Sequence, residues 1–401
     1  MNKPVALFFP FDLLSHYSRC LMLAKAIENE FDCQFVYSKR YANLVAQFGF
    51  SMFPCKNFDA NYVMECAEQF DFSWLQHKIL EDIFMGQVQV IQDLQPAFVL
   101  GDVAPTLKMA AEITKTTFLA LSNAYISKFY KFTRELPPSH PAFQFRDKTP
   151  VRFYNWMLRA GERSAFKRIH RPFRRIRKAY NLNLKPQNYQ DELEGDLNLI
   201  CDDPELFPLQ KKIPENYFSV GPLYLKMPTR IKSSIKFQGK AKNKVLVSCG
   251  SSGNFKNFKM FAHPLFAEYD FIFTSPVSPD ISQRNIQYAP FLNFSYVLPQ
   301  TDLVICHGGN GTIYQAISHG IPVLCFPVHF EQFWNSQRIQ SLKLGEQLSA
   351  KTPVEKLAAV VEKWIASKVK MDRQSSNEKY SVESSQSRFH QIVVDSFKPE
   401  N

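Results

Sequence analysis

The chain has 401 residues, 45% of them hydrophobic and 21% charged, with a net charge of +11. That length allows two domains with full cores, and no apolar run reaches the ~20 residues of a membrane-spanning helix. The eight cysteines include no C-x-x-C pair, which argues against a zinc site or a disulfide framework and for a reducing, cytoplasmic setting.

VALFFPF, at residues 5–11, reads as a first buried strand. Asp12 interrupts the apolar run and no small-residue cleavage site follows it, so the segment is not read as a signal peptide. Helical and extended stretches then alternate: Tyr17 to Asn29, CQFVYS, Tyr41 to Phe48, a long helical region near 61–94, AFVLGD, Leu107 to Thr114, and TFLALSN. This alternation predicts a parallel sheet with crossover helices. His16 follows the first strand and Asp102 ends the strand AFVLGD. Both positions lie at the carboxyl edge, where doubly wound folds bind ligands.

Residues 151–180 hold ten Lys/Arg against one acid, Glu162, so this segment contributes +9 and the rest of the chain +2. Phe166, Ile169, Phe173, Ile176 and Tyr180 recur within it at three- and four-residue steps, with Pro172 starting or kinking a helix. Three readings stand side by side. The stretch 152–178, with Phe153 and Trp156 nearby, docks on an anionic membrane surface as a peripheral contact; it binds nucleic acid, for which no motif is present; or its stripe packs inward and its charges are solvated.

LNLICDDPELFP and YFSVGPLY follow. A Lys-, Ser- and Pro-rich linker spans 226–242, and KVLVSCGSSG opens a second domain with a strand entering a Gly-rich turn, whose Ser251, Ser252 and Gly253 can present hydroxyls and N–H groups to a diphosphate. Residues 302–337 then read DLVICHGGNGTIYQAISHGIPVLCFPVHFEQFWNSQ: strand, Gly-rich turn, helix, strand, helix. The helix is expected from Thr312 to His319, closed by Gly320 and Pro322. The turn His307-Gly308-Gly309-Asn310-Gly311-Thr312 therefore meets a helix N-terminus, a seat for phosphate. A polar stretch from Asp372 to Ser387 precedes a last helix over Arg388 to Phe397.

The ordered set His307-Gly308-Gly309-x-Gly311-Thr312, Ala316, Gly320-x-Pro322, Pro327 and Glu331-Gln332-x-x-Asn335 resembles the donor-sugar signature of the UDP-glycosyltransferase superfamily. The resemblance implies an α/β GT-B fold, two Rossmann-like doubly wound domains facing across a cleft. It divides the chain into an acceptor-binding domain over 1–225, the linker, a nucleotide-sugar-binding domain over 243–371, and a tail with terminal helix over 372–401 that packs back on the first domain. His307, Gly309, Gly311 and Thr312 would hold the diphosphate, Gln315 the ribose, Tyr288 and Phe291 the base, and Glu331 and Gln332 the sugar hydroxyls. No D-x-D motif is present, in keeping with metal independence and with no cofactor beyond the UDP-sugar co-substrate. Family members pair an early histidine with an aspartate about a hundred residues later, positions matched by His16 as base and Asp102 as its partner.

Tyr288-Ala289-Pro290-Phe291 lies where the family has its base-binding W-x-P-Q stretch but lacks the usual Gln, and three further positions depart from the pattern. Ser15 replaces the usual Gly before the histidine, Arg19 the usual Pro after it, and Gln315 the usual Glu. The implied activity is inverting hexosyl transfer from a UDP-sugar to a hydroxyl of a hydrophobic small molecule or lipid. The alternatives are lipid-linked GlcNAc transfer, UDP-sugar epimerisation, and a non-catalytic nucleotide-sugar-binding subunit.

Overall fold

The structure, a computed structural model, describes residues 3–68, 71–138, 140–227, 235–238, 243–250, 258–279, 281, 283–367 and 373–397. It forms two compact units, Met1–Gly221 with Ser385–Asn401, and Pro222–Ser384.

The first unit holds seven strands: β1 (Val5–Pro10), β2 (Asp32–Val36), β3 (Ser51–Phe53), β4 (Phe98–Asp102), β5 (Thr117–Ser122), β6 (Leu197–Ile200) and β7 (Tyr217–Ser219). They make one sheet in the order β3-β2-β1-β4-β5-β6-β7, every pairing parallel. Parallel sheets are covered on both faces, which is why β1 and β4 are near-continuous apolar runs with no alternation. The strand order reverses between β1 and β4, where Pro10 stands opposite Asp102. That reversal is the switch point of a doubly wound sheet.

One sequence expectation changes here and another, the break at Pro172, is met. The helical region near 61–94 is two helices, Ala60–Glu68 and His77–Leu94; Asp71 accepts from the backbone and side chain of Ser73 between them, a local turn that competes with helix. The basic segment is also two helices, Val151–Ile169 and Arg171–Ala179, divided where Pro172 takes the first turn of the second. Residues from Ser385 onward belong to this unit: Gln386 donates to the Met22 carbonyl at 2.7 Å, and Phe397 packs on Phe98 with ring centres 4.9 Å apart.

The second unit repeats the same winding with six strands: β8 (Asn243–Ser248), β9 (Tyr269–Thr274), β10 (Ile286–Ala289), β11 (Leu303–Cys306), β12 (Val323–Cys325) and β13 (Gly345–Gln347). The order is β10-β9-β8-β11-β12-β13, again all parallel. Phe261, Phe266, Phe271 and Phe273 pack in its core beside Val245, Leu303 and Trp364, with Phe261 on Phe273 and Phe266 on Phe271 edge to face. Its switch point lies between β8 and β11, where Ser248 stands opposite Cys306. The two constellations singled out in the sequence therefore occupy the equivalent place in each unit.

Candidate active site

In the first unit the loop leaving β1 is pinned to the end of β4, because Phe11 donates its backbone N–H to the Asp102 carbonyl at 3.1 Å. The chain then enters the helix Leu14–Ile27, on which His16 and Arg19, three residues apart, share a face. Both meet the Asp102 carboxylate. His16 Nδ1 lies 2.9 Å from Oδ1, while Arg19 grips the same group with two bonds, Nε to Oδ2 at 2.8 Å and Nη2 to Oδ1 at 2.9 Å. Arg19 Nη1 also donates to Asn123 Oδ1 at 2.5 Å, and Asn123 donates to both carboxylate oxygens of Asp202 at 3.1 Å. The network ties together the carboxyl ends of β4, β5 and β6.

Burial explains why Arg19 is there. The Asp102 side chain is 0% exposed and Arg19 8%, so each charge needs the other; His16, at 14%, is the member that reaches solvent most. His16 Nδ1 is also 2.8 Å from Arg19 Nη2. Carboxylate and guanidinium thus compete for one nitrogen. With its proton on Nδ1 the imidazole donates to Asp102 and keeps Nε2 as a base; with its proton on Nε2 it accepts from Arg19 and is no base.

The surroundings are apolar. Phe11 meets His16 edge to face at 5.7 Å, and Phe58 meets Trp74 in the same manner at 5.1 Å. Phe9, Phe11, Val36, Phe58, Val103 and Ala104 line a hollow beside them that Lys56, Asn57 and Gln87 also border. Val103, directly after Asp102, holds φ at 54°. A β-branched residue rarely enters that left-handed region, and such strain collects at functional sites.

In the second unit the centre is His307, which follows β11 directly. Its ring sits between two glycines: a Cβ on Gly250 would lie 2.3 Å from His307 Cε1, and one on Gly309 would lie 2.6 Å from Nε2. Gly250 also holds φ at +62°, so glycine is required there twice over. Asn335 Nδ2 donates to the Gly308 carbonyl at 3.0 Å and clamps the turn onto the helix Phe330–Ser341. Burial, with the charge of His329 behind it, pushes the His307 pKa down to about 4, so the ring is neutral at neutral pH. Among the described residues its buried Nδ1 has no hydrogen-bond partner of good geometry, and the Ser248 backbone is a polar group close to the ring.

The helix after this turn runs Asn310–Ser318, starting two residues before the expected Thr312 and ending one before His319. Gly309 is its N-cap and brings no side-chain acceptor, so Gly311 and Thr312 lie in the first helical turn. Gln315 is partly exposed and donates Nε2 to the Gly311 carbonyl at 3.2 Å. Glu331 is partly exposed in the first turn of its helix; Gln332 beside it is buried and accepts the Val328 N–H at 2.9 Å, locking the preceding loop. Tyr288 and Phe291 part company. The Tyr288 ring packs on the core with its hydroxyl donating to the Ser275 carbonyl at 2.9 Å, whereas Phe291 is 51% exposed. Ser251, Ser252 and Gly253 lie outside the described residues.

The profile of the Glycosyltransferase family 28 C-terminal domain matches residues 226–392. A PGL/p-HBAD biosynthesis glycosyltransferase of Mycobacterium tuberculosis is 22% identical over 339 residues, 83% of this chain and 77% of that protein. The zeaxanthin glucosyltransferase of Pantoea ananas is 26% identical over 218 residues, 52% of this chain and 48% of that one. Among solved structures, a calicheamicin glycosyltransferase superimposes with a TM-score of 0.74 at 16% identity over 100% of both chains. The glycosyltransferase VinC in complex with DTDP gives 0.63 at 15% identity over 96% of this chain and 99% of that one. The family model over the second unit and relatives over most of the chain support a place in the UDP-glycosyltransferase superfamily. It is a glycosyltransferase of the GT-B fold.

Within this glycosyltransferase, sequence reasoning missed Arg19 as a partner of Asp102, Asn123 behind it, and Gly250 beneath His307. One signal for Arg19 was present. A lone cation in the otherwise apolar helical stretch around CLMLA, three residues after His16, must find a buried counter-charge on the face that His16 uses.

Proposed function

We propose that this glycosyltransferase moves a hexose from a UDP-sugar to a hydroxyl of a hydrophobic small-molecule or lipid acceptor, with inversion at the anomeric carbon and without a metal ion. The observation that carries the reading is the 2.9 Å contact between His16 and Asp102 at the switch point of the first sheet. His16 takes the acceptor proton as the oxygen attacks; Asp102 holds the tautomer that keeps Nε2 basic. The neutral His307, Gly309 and the first turn of the Asn310–Ser318 helix receive the departing diphosphate, where N–H groups stabilise developing charge. The Phe11, Phe58 and Trp74 wall beside His16 favours an apolar acceptor, in keeping with the zeaxanthin for which one relative is named.

A second reading of the donor is favoured by Gln315. An amide at the expected ribose position offers less to a 2′-hydroxyl than a carboxylate would, which suits a deoxyribose nucleotide such as the dTDP bound by one structural neighbour. The test is donor hydrolysis and transfer with UDP-glucose, UDP-GlcNAc and dTDP-glucose, each with and without EDTA. Turnover with a UDP-sugar that EDTA leaves unchanged supports the proposal. Turnover confined to dTDP-glucose replaces the donor, loss on EDTA treatment removes metal independence, and binding without turnover of any donor makes the protein a nucleotide-sugar-binding subunit.

A further inference from the structure

The helix Val151–Ile169 presents two unlike faces. Tyr154 and Leu158 are buried against the first unit, and Arg134 fixes Glu162 at 2.8 Å. On the opposite side Arg152, Trp156, Arg159, Arg163 and Lys167 follow one another at steps of four, three, four and four, which places all five on one stripe of the helix. Trp156 is 61% exposed and Phe153, next to it, 52%; their rings lie 5.7 Å apart. Two large aromatic side chains in water amid cations contribute nothing to the core beneath. On the following helix Arg171, Arg174, Arg175 and Lys178 are exposed along a single face as well.

The stripe expected from the sequence, Phe166 to Tyr180, behaves differently. Phe173 and Ile176 are fully buried, and Tyr180 packs edge-on against Phe84 at 5.0 Å. Arg177, counted with the basic patch, is buried too, held by Glu192 at 2.6 Å and Glu112 at 2.7 Å. The inward stripe anchors the helices, and what remains outside is a cationic surface about 28 Å long with an aromatic pair near its amino end.

We propose that the outer face of Val151–Ile169 docks on an anionic lipid bilayer, with Phe153 and Trp156 entering the headgroup boundary and Arg152, Arg159, Arg163 and Lys167 facing the lipid phosphates. Charge complementarity selects an anionic partner. The aromatic pair selects a bilayer over nucleic acid, because its rings stand among cations at the level where Trp and Phe bury in a membrane interface. The proposal goes beyond the reading of the active site and does not depend on it.

The test is co-sedimentation of the full chain with vesicles of equal parts phosphatidylglycerol and phosphatidylcholine, beside pure phosphatidylcholine vesicles and a mixed-sequence DNA duplex. The expected result is binding to the anionic vesicles alone, weakening as salt rises. Arg159→Gln with Arg163→Gln and Lys167→Gln lowers partitioning by about a hundredfold. Trp156→Ser with Phe153→Ser lowers it by about tenfold or more at unchanged charge, with melting temperature and donor hydrolysis as in wild type. No binding to anionic vesicles overturns the proposal. So does binding that the aromatic substitutions leave untouched while the duplex is bound as well, the behaviour of a nucleic-acid-binding or purely electrostatic surface.

Discussion

Arg19 and Asp102 form a forked ion pair, two bonds of 2.8 and 2.9 Å, in a place where neither has water to replace the other. His16 therefore shares the carboxylate proposed to fix its tautomer with a cation. The pair is neutral as a unit, and it is rigid. What it gives His16 is orientation, since Asp102 Oδ1 is held still for Nδ1, while Arg19 Nη2 offers Nδ1 the competing bond.

The pair changes what an aspartate substitution does. From the sequence, Asp102→Asn is a mild tautomer defect. With Arg19 buried beside it, the amide leaves a guanidinium without its counter-charge, which destabilises by about 3 to 5 kcal/mol. We expect Asp102→Asn to lower the melting temperature of the first unit by on the order of 10 °C. Arg19→Met combined with Asp102→Asn should recover most of that loss. Additive losses in the double variant, read by thermal melts, would show that the two side chains are not energetically coupled.

His16→Ala tests the base itself. Transfer should fall roughly a hundredfold or more while UDP affinity stays nearly unchanged if, as proposed, the group acts only as the acceptor proton departs. The measurement is kcat with saturating donor and acceptor, beside calorimetric UDP binding. Turnover close to wild type takes His16 out of the mechanism.

The His307 ring makes a pH prediction. Its pKa is depressed from 6.5 to about 4 in the folded chain. Between those values the unfolded state binds the proton and the folded state does not, so stability rises with pH across the window and is lost as pH falls from 6.5 toward 4. Above 6.5 and below 4 the group contributes no slope. The loss is on the order of 3 kcal/mol. Subtracting the stability profile of His307→Asn from that of wild type should isolate this slope; equal profiles between pH 4 and 6.5 would mean that the ring is solvated.

Which parts of this were legible in the sequence follows from how local each one is. The Gly-rich turn was readable because strand, turn and helix are contiguous, so His307, Gly309 and Gly311 announce their setting within a few residues; the helix bounds shifted from Thr312–His319 to Asn310–Ser318. Asp102 was readable because a charge ending an apolar strand marks a carboxyl edge. Arg19 was harder to place, since its partner lies 83 residues away and nothing local names it. Gly250 was not readable, since its constraint is the ring of a histidine that follows another strand. The basic segment divided correctly at Pro172, yet periodicity could not tell which of two stripes faces inward: Phe173 and Ile176 do, and Trp156 does not.

Gln315, proposed to hold the ribose, departs from the family pattern, and its surroundings sharpen what a substitution there should do. Its Nε2 donates to the Gly311 carbonyl at 3.2 Å, so one end of the amide is occupied by its own helix and the oxygen is the remaining acceptor. A carboxylate at the same site has two acceptor oxygens and no such donor, and can take a charge-assisted bond from each ribose hydroxyl. The difference is about 1 kcal/mol in nucleotide affinity. Gln315→Glu should therefore bind UDP several-fold more tightly, and most of that gain should vanish for 2′-deoxyuridine diphosphate, which lacks one of the two hydroxyls. The wild type, by contrast, should discriminate little between the two nucleotides. Calorimetry on both proteins with both ligands reads this directly. If Gln315→Glu and wild type bind UDP equally, and neither responds to the missing hydroxyl, the Asn310–Ser318 helix does not hold the ribose and the donor lies elsewhere on the second unit.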